Sequence, residues 1–333
     1  LFLRTSEFLW QEGHTAHSTR EEAMEETLKM LGVYARIMRD ILALPVVEGE
    51  KTEGERFPGA DNTYACETMM SDGKALQAGT SHFLGQNFAK AFDIKFQNRN
   101  GDLEYAWTTS WGVSTRLIGA IIMTHSDDDG LILPPRVAPV KAAILPISTN
   151  DEKIDSTLLP RAMELSSELD RSLGGRFAFV DRQFYLRPGD RFFQHLQKGV
   201  PLRVELGEKD LAAGTARVVR RDTGEKMDIP LENLASKVPS LLEEIQSSLF
   251  NKALSFRREN TVEVASYEEM KKVLEEKGGF VETWFAGSRD DEKKIKEETG
   301  ATARCMPIDS EEPGTCFYTG KPGARKVIFA KAY

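Results

Sequence analysis

Three short runs of the chain gather residue types that hold phosphate, amines and small rings. The first, RTSEFLWQEGHTAH at residues 4–17, places Arg4 and Glu7 on what reads as a strand, with Glu12 and His14 in a loop behind it. A guanidinium fork matches phosphate oxygens, and carboxylates match an amine. Taken alone, such a strand pair is an ordinary surface ion pair. The second run, LQAGTSHFLGQNF at residues 76–88, sets the small residues Ala78 and Gly79 between Gln77 and Thr80, so backbone can approach a ligand closely. His82 follows, and by itself would read as a satisfied core histidine. In the third run, beginning WTTSWGVSTR at residue 107, Arg116 opens an apolar helix whose Ile118 and Ile121 to Met123 are expected to be buried. An arginine buried there without an anion would cost several kcal/mol, so an anionic partner is expected. Trp111 alone reads as core. Asp127, Asp128 and Asp129, just before Gly130, read as a solvated turn rather than a metal site.

Those runs resemble the class II aminoacyl-tRNA synthetases. The first is similar to motif 2 and the third to motif 3, in the wording of the prolyl enzymes. The resemblance implies ATP-dependent activation of L-proline and its attachment to tRNA(Pro), with ATP and Mg²⁺ as cofactors. It makes Arg4 and Arg116 the catalytic cations on the ATP phosphates and adds Glu7, Gln77, Thr80 and Ser114 to the ATP site, with Gln77 also beside the Mg²⁺. His82, Ser110, Trp111 and Gly112 then line the proline pocket. It further implies a homodimer, with the chain starting inside motif 2, so that motif 1 lies outside it. The interval between motifs 2 and 3 leaves no room for the editing insertion of bacterial-type enzymes, which points to the archaeal or eukaryotic type, as does the ending Lys331, Ala332, Tyr333. The four-cysteine zinc site of the family's C-terminal domain is not matched: Cys316 remains, but Tyr318 stands where its neighbouring cysteine belongs, so no zinc is expected. Two other readings are a threonyl-type enzyme, with zinc held by Cys66 and His82, and a non-catalytic class II-like protein that binds tRNA. A zinc analysis separates the first and an exchange assay the second.

Composition agrees with a soluble enzyme. With 40% hydrophobic and 29% charged residues and no apolar run near the roughly 20 residues of a membrane span, no membrane partner is expected. Three widely spaced cysteines exclude a secreted disulfide framework and favour the cytoplasm. The net charge of −8 is unevenly spread. Residues 140–238 carry 16 basic against 15 acidic side chains, ten of the cations being arginines, while both flanking segments are acidic. Any nucleic-acid face is expected there.

The elements that must position these residues follow from periodicity. Leu1 to Trp10 reads as a strand; Ser18 and Glu21 have capping-box spacing before a helix with its buried face at Met24, Leu28, Leu31, Ala35, Met38 and Leu42, ended by Pro45. Strands are expected at 63–70, 75–80 and 105–110 and a helix at 116–124, an antiparallel sheet flanked by helices. The prolines between Leu133 and Pro139 mark a boundary. Beyond it, strands at 140–146, 177–180, 202–206 and 216–220 alternate with helices at 154–173 and 188–197, a small α/β domain similar to an anticodon-binding domain. Val238 and Pro239 mark a second boundary, before a helix at 241–259 and a small α+β domain. The expected architecture is multidomain, α/β and α+β: a class II catalytic domain at 1–139, an anticodon-binding domain at 140–238 and a C-terminal domain at 239–333.

Overall fold

The computed structural model describes residues 2–148, 152, 154–310 and 312–333, so Leu1, the first residue of the expected opening strand, lies outside the described residues. In chain order the strands are β1 (Trp10–His17), β2 (Val46–Glu50), β3 (Asn62–Met69), β4 (Ala75–Gly85), β5 (Lys95–Gln97), β6 (Leu103–Tyr105), β7 (Trp107–Ser114), β8 (Ala142–Ile147), β9 (Ala178–Val180), β10 (Leu202–Gly207), β11 (Thr215–Arg220), β12 (Lys226–Pro230), β13 (Thr261–Glu263), β14 (Phe280–Phe285), β15 (Thr302–Pro307), β16 (Gly314–Thr315) and β17 (Pro322–Ala330). The chain forms two compact units: Leu1–Asp40, Leu44–Thr124 and Ala253–Tyr333 make the first, and Ile41–Ala43 with His125–Lys252 make the second.

The first unit is built on one sheet in the order β1-β7-β4-β3-β2-β15-β17-β14-β13, with β16 beside β17. Its β1-to-β2 half is antiparallel throughout, as the class II pattern requires. Residues 2–9 form no strand: the pairing begins at Trp10 opposite Ser114, so Arg4 and Glu7 lie on an exposed irregular segment, and Glu12 and His14, expected in a loop, are on β1. Helix α1 (Arg20–Arg36) packs on one sheet face. Its cap lies one residue later than expected. The Thr19 side chain accepts from the Glu22 backbone N–H, and the Glu22 carboxylate accepts from the Ser18 N–H and hydroxyl. The buried stripe is Ala23, Thr27, Leu31, Tyr34 and Ala35, continued by Met38 in the π-helical turn Ile37–Ile41, while Leu28 is 42% exposed.

After the short α2 (Asn87–Ala91), helix α3 (Arg116–His125) opens at Arg116 as expected, but its apolar face is not the buried one. Ile118 is 43% exposed and Ile121 to Met123 are half-buried, whereas Gly119 and Ala120 are buried. The reason is close approach: a Cβ on Gly119 would sit 2.7 Å from the Leu3 side chain, so small residues admit the segment before β1.

The second unit has the sheet order β12-β11-β10-β8-β9, with β8 parallel to both β9 and β10. Helices α4 (Leu159–Leu173), α5 (Pro188–Gln197) and α6 (Glu208–Ala212) lie along it, and its core includes Ile144, Leu165, Leu169, Leu202, Val204 and Val218. Each such side chain contributes about 1.5–3 kcal/mol of burial. Asp127 is not a simple solvated turn residue: its carboxylate takes two bonds from Arg221, at 2.6 and 2.9 Å. Helix α7 (Leu231–Glu259) runs unbroken through Pro239, so the boundary expected at Val238 and Pro239 falls inside a helix.

Helices α8 (Tyr267–Glu276) and α9 (Arg289–Thr299) accompany the C-terminal strands. These continue the first unit's sheet, because Met306 and Pro307 of β15 pair with Glu50 and Gly49 of β2. Gly49 is required there, since a Cβ would meet the Cys305 side chain at 2.6 Å. Tyr318 packs edge-on against Tyr267 at 5.0 Å, within a cluster that includes Phe285, Phe317 and Phe329.

Candidate active site

The sheet face opposite α1 carries a cavity of about 560 Å³. Pairing sets its floor. Glu12 faces Gly112, which faces Thr80; His14 faces Ser110, which faces His82; and His82 faces Thr63. Residues opposite one another in antiparallel strands point to the same face. Two neighbouring rows, Glu12–Gly112–Thr80 and His14–Ser110–His82–Thr63, therefore cross the strands and deliver carboxylate, imidazole and hydroxyl groups to one side.

Gln77 and Thr80 are three apart on one strand, which regular alternation would send to opposite faces. A bulge corrects this. Cys66 pairs with Gly79 and Glu67 with Gln77, leaving Ala78 as an extra residue, so the alternation shifts and both side chains reach the cavity.

His82 is held from behind. The Phe57 N–H donates to the Thr63 hydroxyl at 3.1 Å, and that hydroxyl lies 3.0 Å from His82 Nδ1, an arrangement satisfied when Thr63 donates to Nδ1 and Nε2 carries the ring proton. Phe57 covers the imidazole at 4.7 Å between ring centroids. Burial pushes the His82 pKa down to about 4, so the ring is neutral at neutral pH. Cys66, on the opposite face, points its thiol to the Leu31 carbonyl of α1, and burial raises its pKa. A zinc shared by Cys66 and His82 is therefore excluded by strand alternation.

Arg116 stands at the cavity edge, half-buried, its Nε donating to the Leu3 carbonyl at 3.2 Å and its guanidinium over the Phe8 ring. Burial lowers its pKa, and the charge of Arg4 adds to the shift. Neither arginine has an acidic partner among the described residues. The carboxylate felt at Arg116 is that of Glu67, which is itself bound by Arg304 and Lys51, so two guanidinium groups within electrostatic reach of one another are left without an ion pair, an arrangement that suits an anion.

Of the residues singled out in the sequence, the cavity brings together Gln77, Thr80, His82, Ser110, Trp111, Gly112, Ser114 and Arg116. Arg4 and Glu7 are exposed and outside its lining. Trp111 borders it from the other layer: it alternates with Ser110 and Gly112, and its indole lies where a Cβ on Gly13 would be, 2.3 Å away. Sequence reading passed over Trp10, Arg56, Phe57 and Thr63, which also line the cavity. Arg56 Nε is buried with no hydrogen-bond partner among the described residues. Arg56 and Phe57 belong to the loop between β2 and β3, whose only sequence signal is a cation and an aromatic in a glycine-rich, charged stretch. The groove continues past Glu12, Phe57 and Ser110 into an apolar cavity of about 510 Å³ walled by Leu84, Phe88, Phe92 and Ile94.

Three family models match the chain: the tRNA synthetase class II core domain (G, H, P, S and T) at residues 2–125, the anticodon binding domain at 141–241, and the prolyl-tRNA synthetase C-terminal domain at 267–333. A curated proline–tRNA ligase of Flavobacterium johnsoniae is 54% identical over 334 residues, covering all of this chain and 67% of its own length. One from Prosthecochloris aestuarii is 53% identical over 342 residues and is covered over 70% of its length. The crystal structure of prolyl-tRNA synthetase from Cryptosporidium parvum with L-proline and AMP superposes with a TM-score of 0.91 at 41% identity, over all of this chain and 71% of that one. The curated relatives are bacterial proteins, so the expectation of an archaeal or eukaryotic type is not borne out.

Proposed function

The chain belongs to the prolyl-tRNA synthetase family, and from that premise we infer that it activates L-proline with ATP and attaches it to tRNA. The observation that carries the reading is the cavity itself. It pairs a guanidinium that has no ion pair among the described residues, Arg116, with the bulge-turned Gln77 and Thr80 at one part and the neutral His82, shielded by Phe57, at another. The first group suits a polyphosphate and the second a small ring.

Activation is attack of the proline carboxylate on the ATP α-phosphorus, expelling pyrophosphate. It needs positioning and charge neutralisation more than covalent chemistry. In this reading Arg116 takes the phosphate charge and Arg4 assists from the neighbouring segment, which also carries Glu7. Gln77, Thr80 and Ser114 place the nucleotide. His82, Ser110 and Gly112 shape the proline site on the sheet face, with Trp111 supporting it from below. Glu12, on the neighbouring row with Gly112, is an added candidate for the proline amine. Mg²⁺ binds through phosphate oxygens and few protein oxygens, and the amide of Gln77 on the cavity face is compatible with one such contact; when bound, the ion neutralises phosphate charge.

The division into a catalytic domain at 1–139, an anticodon-binding domain at 140–238 and a C-terminal domain at 239–333 is kept as the functional partition, supported by the order of the three matching models. The homodimer carries over from the resemblance and the cytoplasmic location from the composition and the three spaced cysteines; among the described residues no helix is long and apolar enough to cross a membrane.

The test is amino-acid-dependent exchange of pyrophosphate into ATP by the intact protein, run with all twenty amino acids. Proline should support the fastest exchange. A protein that binds tRNA yet shows no proline-dependent exchange would make it a non-catalytic relative.

A further inference from the structure

Beside the bulge of β4 lies an ion network that the activation chemistry does not use. Glu67 of β3 is the cross-strand partner of Gln77, so both side chains rise on the cavity face. Gln77 borders the cavity, whereas Glu67 is completely buried. Two cations cover it. Arg304 of β15 donates from Nε to one carboxylate oxygen at 3.0 Å and from a terminal nitrogen to the other at 3.1 Å. Lys51, 2% exposed, donates from Nζ to Glu67 at 2.6 Å and to the Arg304 carbonyl at 2.6 Å. The remaining Arg304 nitrogen is held by the Thr302 hydroxyl at 2.9 Å.

A buried pair of this kind adds little net stability over a well-packed apolar alternative, because desolvation offsets the attraction. What a bidentate fork supplies is a fixed orientation. Here it fixes the residue paired with Gln77, at the point where β4 carries one residue more than β3. The site lies close enough to the phosphate cations that the charges of Glu67 and Arg304 are both felt at Arg116. We propose that Arg304, contributed by the C-terminal domain, is a positioning residue for the nucleotide: by clamping Glu67 it holds the Ala78 bulge that turns Gln77 and Thr80 to one face.

The proposal rests on the assignment of Gln77 and Thr80 to ATP, and a double-mutant cycle on the intact protein separates the two. Pyrophosphate exchange is measured for wild type, Arg304→Met, Gln77→Ala and the double variant, with KM for ATP and for proline determined separately. Arg304→Met should raise the ATP KM about tenfold, the cost of one lost charged bond at the ligand, and leave the proline KM within about twofold. In the Gln77→Ala background the same change should add only about threefold, because Thr80 alone is then left for it to position. An equal factor in both backgrounds, or ATP and proline KM rising together, overturns the proposal and leaves Arg304 as fold support. An unchanged ATP KM in Gln77→Ala overturns the assignment of Gln77 itself. Should Arg304→Met fail to fold, Arg304→Lys keeps the charge without the fork; a folded lysine variant with normal ATP KM refutes positioning, and one raised about threefold supports it.

Discussion

The cavity of the first unit and that of the second are both rich in arginine, and they treat it in opposite ways. In the second unit a space of about 400 Å³ is lined by Arg203, Arg220 and Arg221, each already paired, with Glu205 at 2.9 Å, Asp222 at 2.8 Å and Asp127 at 2.6 Å. Deeper still, Asp181 binds both Arg191 at 3.0 Å and His195 at 2.7 Å. In the first unit, Arg56 and Arg116 line the cavity together with Glu12 and Glu55, yet neither arginine forms an ion pair among the described residues. A guanidinium given its counter-charge by the fold is committed to the fold. One left with a backbone carbonyl, or with an unpartnered Nε, is available to an anionic ligand. The basic excess of residues 140–238 is therefore a poor guide to where phosphate binds, since six of its ten arginines are ion-paired within the fold. The exposed arginines there without an acid partner among the described residues are Arg171, Arg176, Arg182 and Arg187.

The sharpest contrast is between an unpaired and a paired arginine. Arg116→Ala should slow proline-dependent exchange by roughly 10- to 150-fold, the value of one charged hydrogen bond of about 1.5–3 kcal/mol, with tRNA affinity nearly unchanged. Arg221→Ala, removing a cation satisfied within its own unit, should leave exchange within about twofold of wild type. Equal effects of the two in the exchange assay would erase the distinction.

Histidine offers a pH comparison between the units. Burial lowers both His82 and His125 to about 4, the latter with its Nε2 at 3.0 Å from the Leu42 carbonyl. A histidine lowered in the folded state is neutral there while the unfolded chain still takes up protons. Its stabilising share is thus full above pH about 6.5 and is lost as pH falls from 6.5 towards 4. Each should cost on the order of 1–3 kcal/mol by pH 4. Urea midpoints measured at pH 7 and 4.5 should show that loss, and His82→Gln and His125→Gln should each remove part of it. A midpoint that falls as steeply in both variants as in wild type would place the titrating group elsewhere.

The smallest expected effect concerns tRNA. Arg182→Ala with Arg187→Ala should weaken tRNA binding and make its dependence on salt shallower by about one charge for each arginine removed, about 0.7–0.9 in the log–log slope, with exchange unaffected. Arg217→Ala, whose partner Asp228 is 3.0 Å away on the neighbouring strand, should change the slope less. Filter binding across a salt series distinguishes the two, and a steeper loss from the paired residue would refute the assignment.

Local patterns were legible where local physics governs them. Helix α5 begins at Pro188, which is preset for a first helical turn, and ends where read, at Gln197. Helix α3 begins at Arg116, and β3 and β4 lie within a few residues of their expected places. The opening strand was misplaced because Leu3, Phe8 and Leu9 look like strand residues, while pairing with β7 starts only at Trp10. The proline at 239 was read as a stop, yet α7 passes through it, its Leu234, Val238, Leu241, Leu242 and Ile245 all buried in the second unit's core. Burial of that apolar stripe outweighs the lost bond, which for proline in a helix costs about 3 kcal/mol.

What the sequence by itself determined is the chemical inventory: an arginine at a helix start, a small-residue strand with Gln77, Thr80 and His82, and the run that joins Ser110 to Ser114. Periodicity and residue chemistry act over a few residues, so they can be read from one strand at a time. Only the tertiary structure decided which of these groups share a face. Gln77 and Thr80 meet through a bulge that exists because β3 pairs with β4 one residue short, and Arg56 and Phe57 reach the cavity from a loop with no period to betray it. Arg304 reaches Glu67 across 237 residues of chain. Pairings at such separations are set by the summed burial of the whole sheet, a quantity no local window contains.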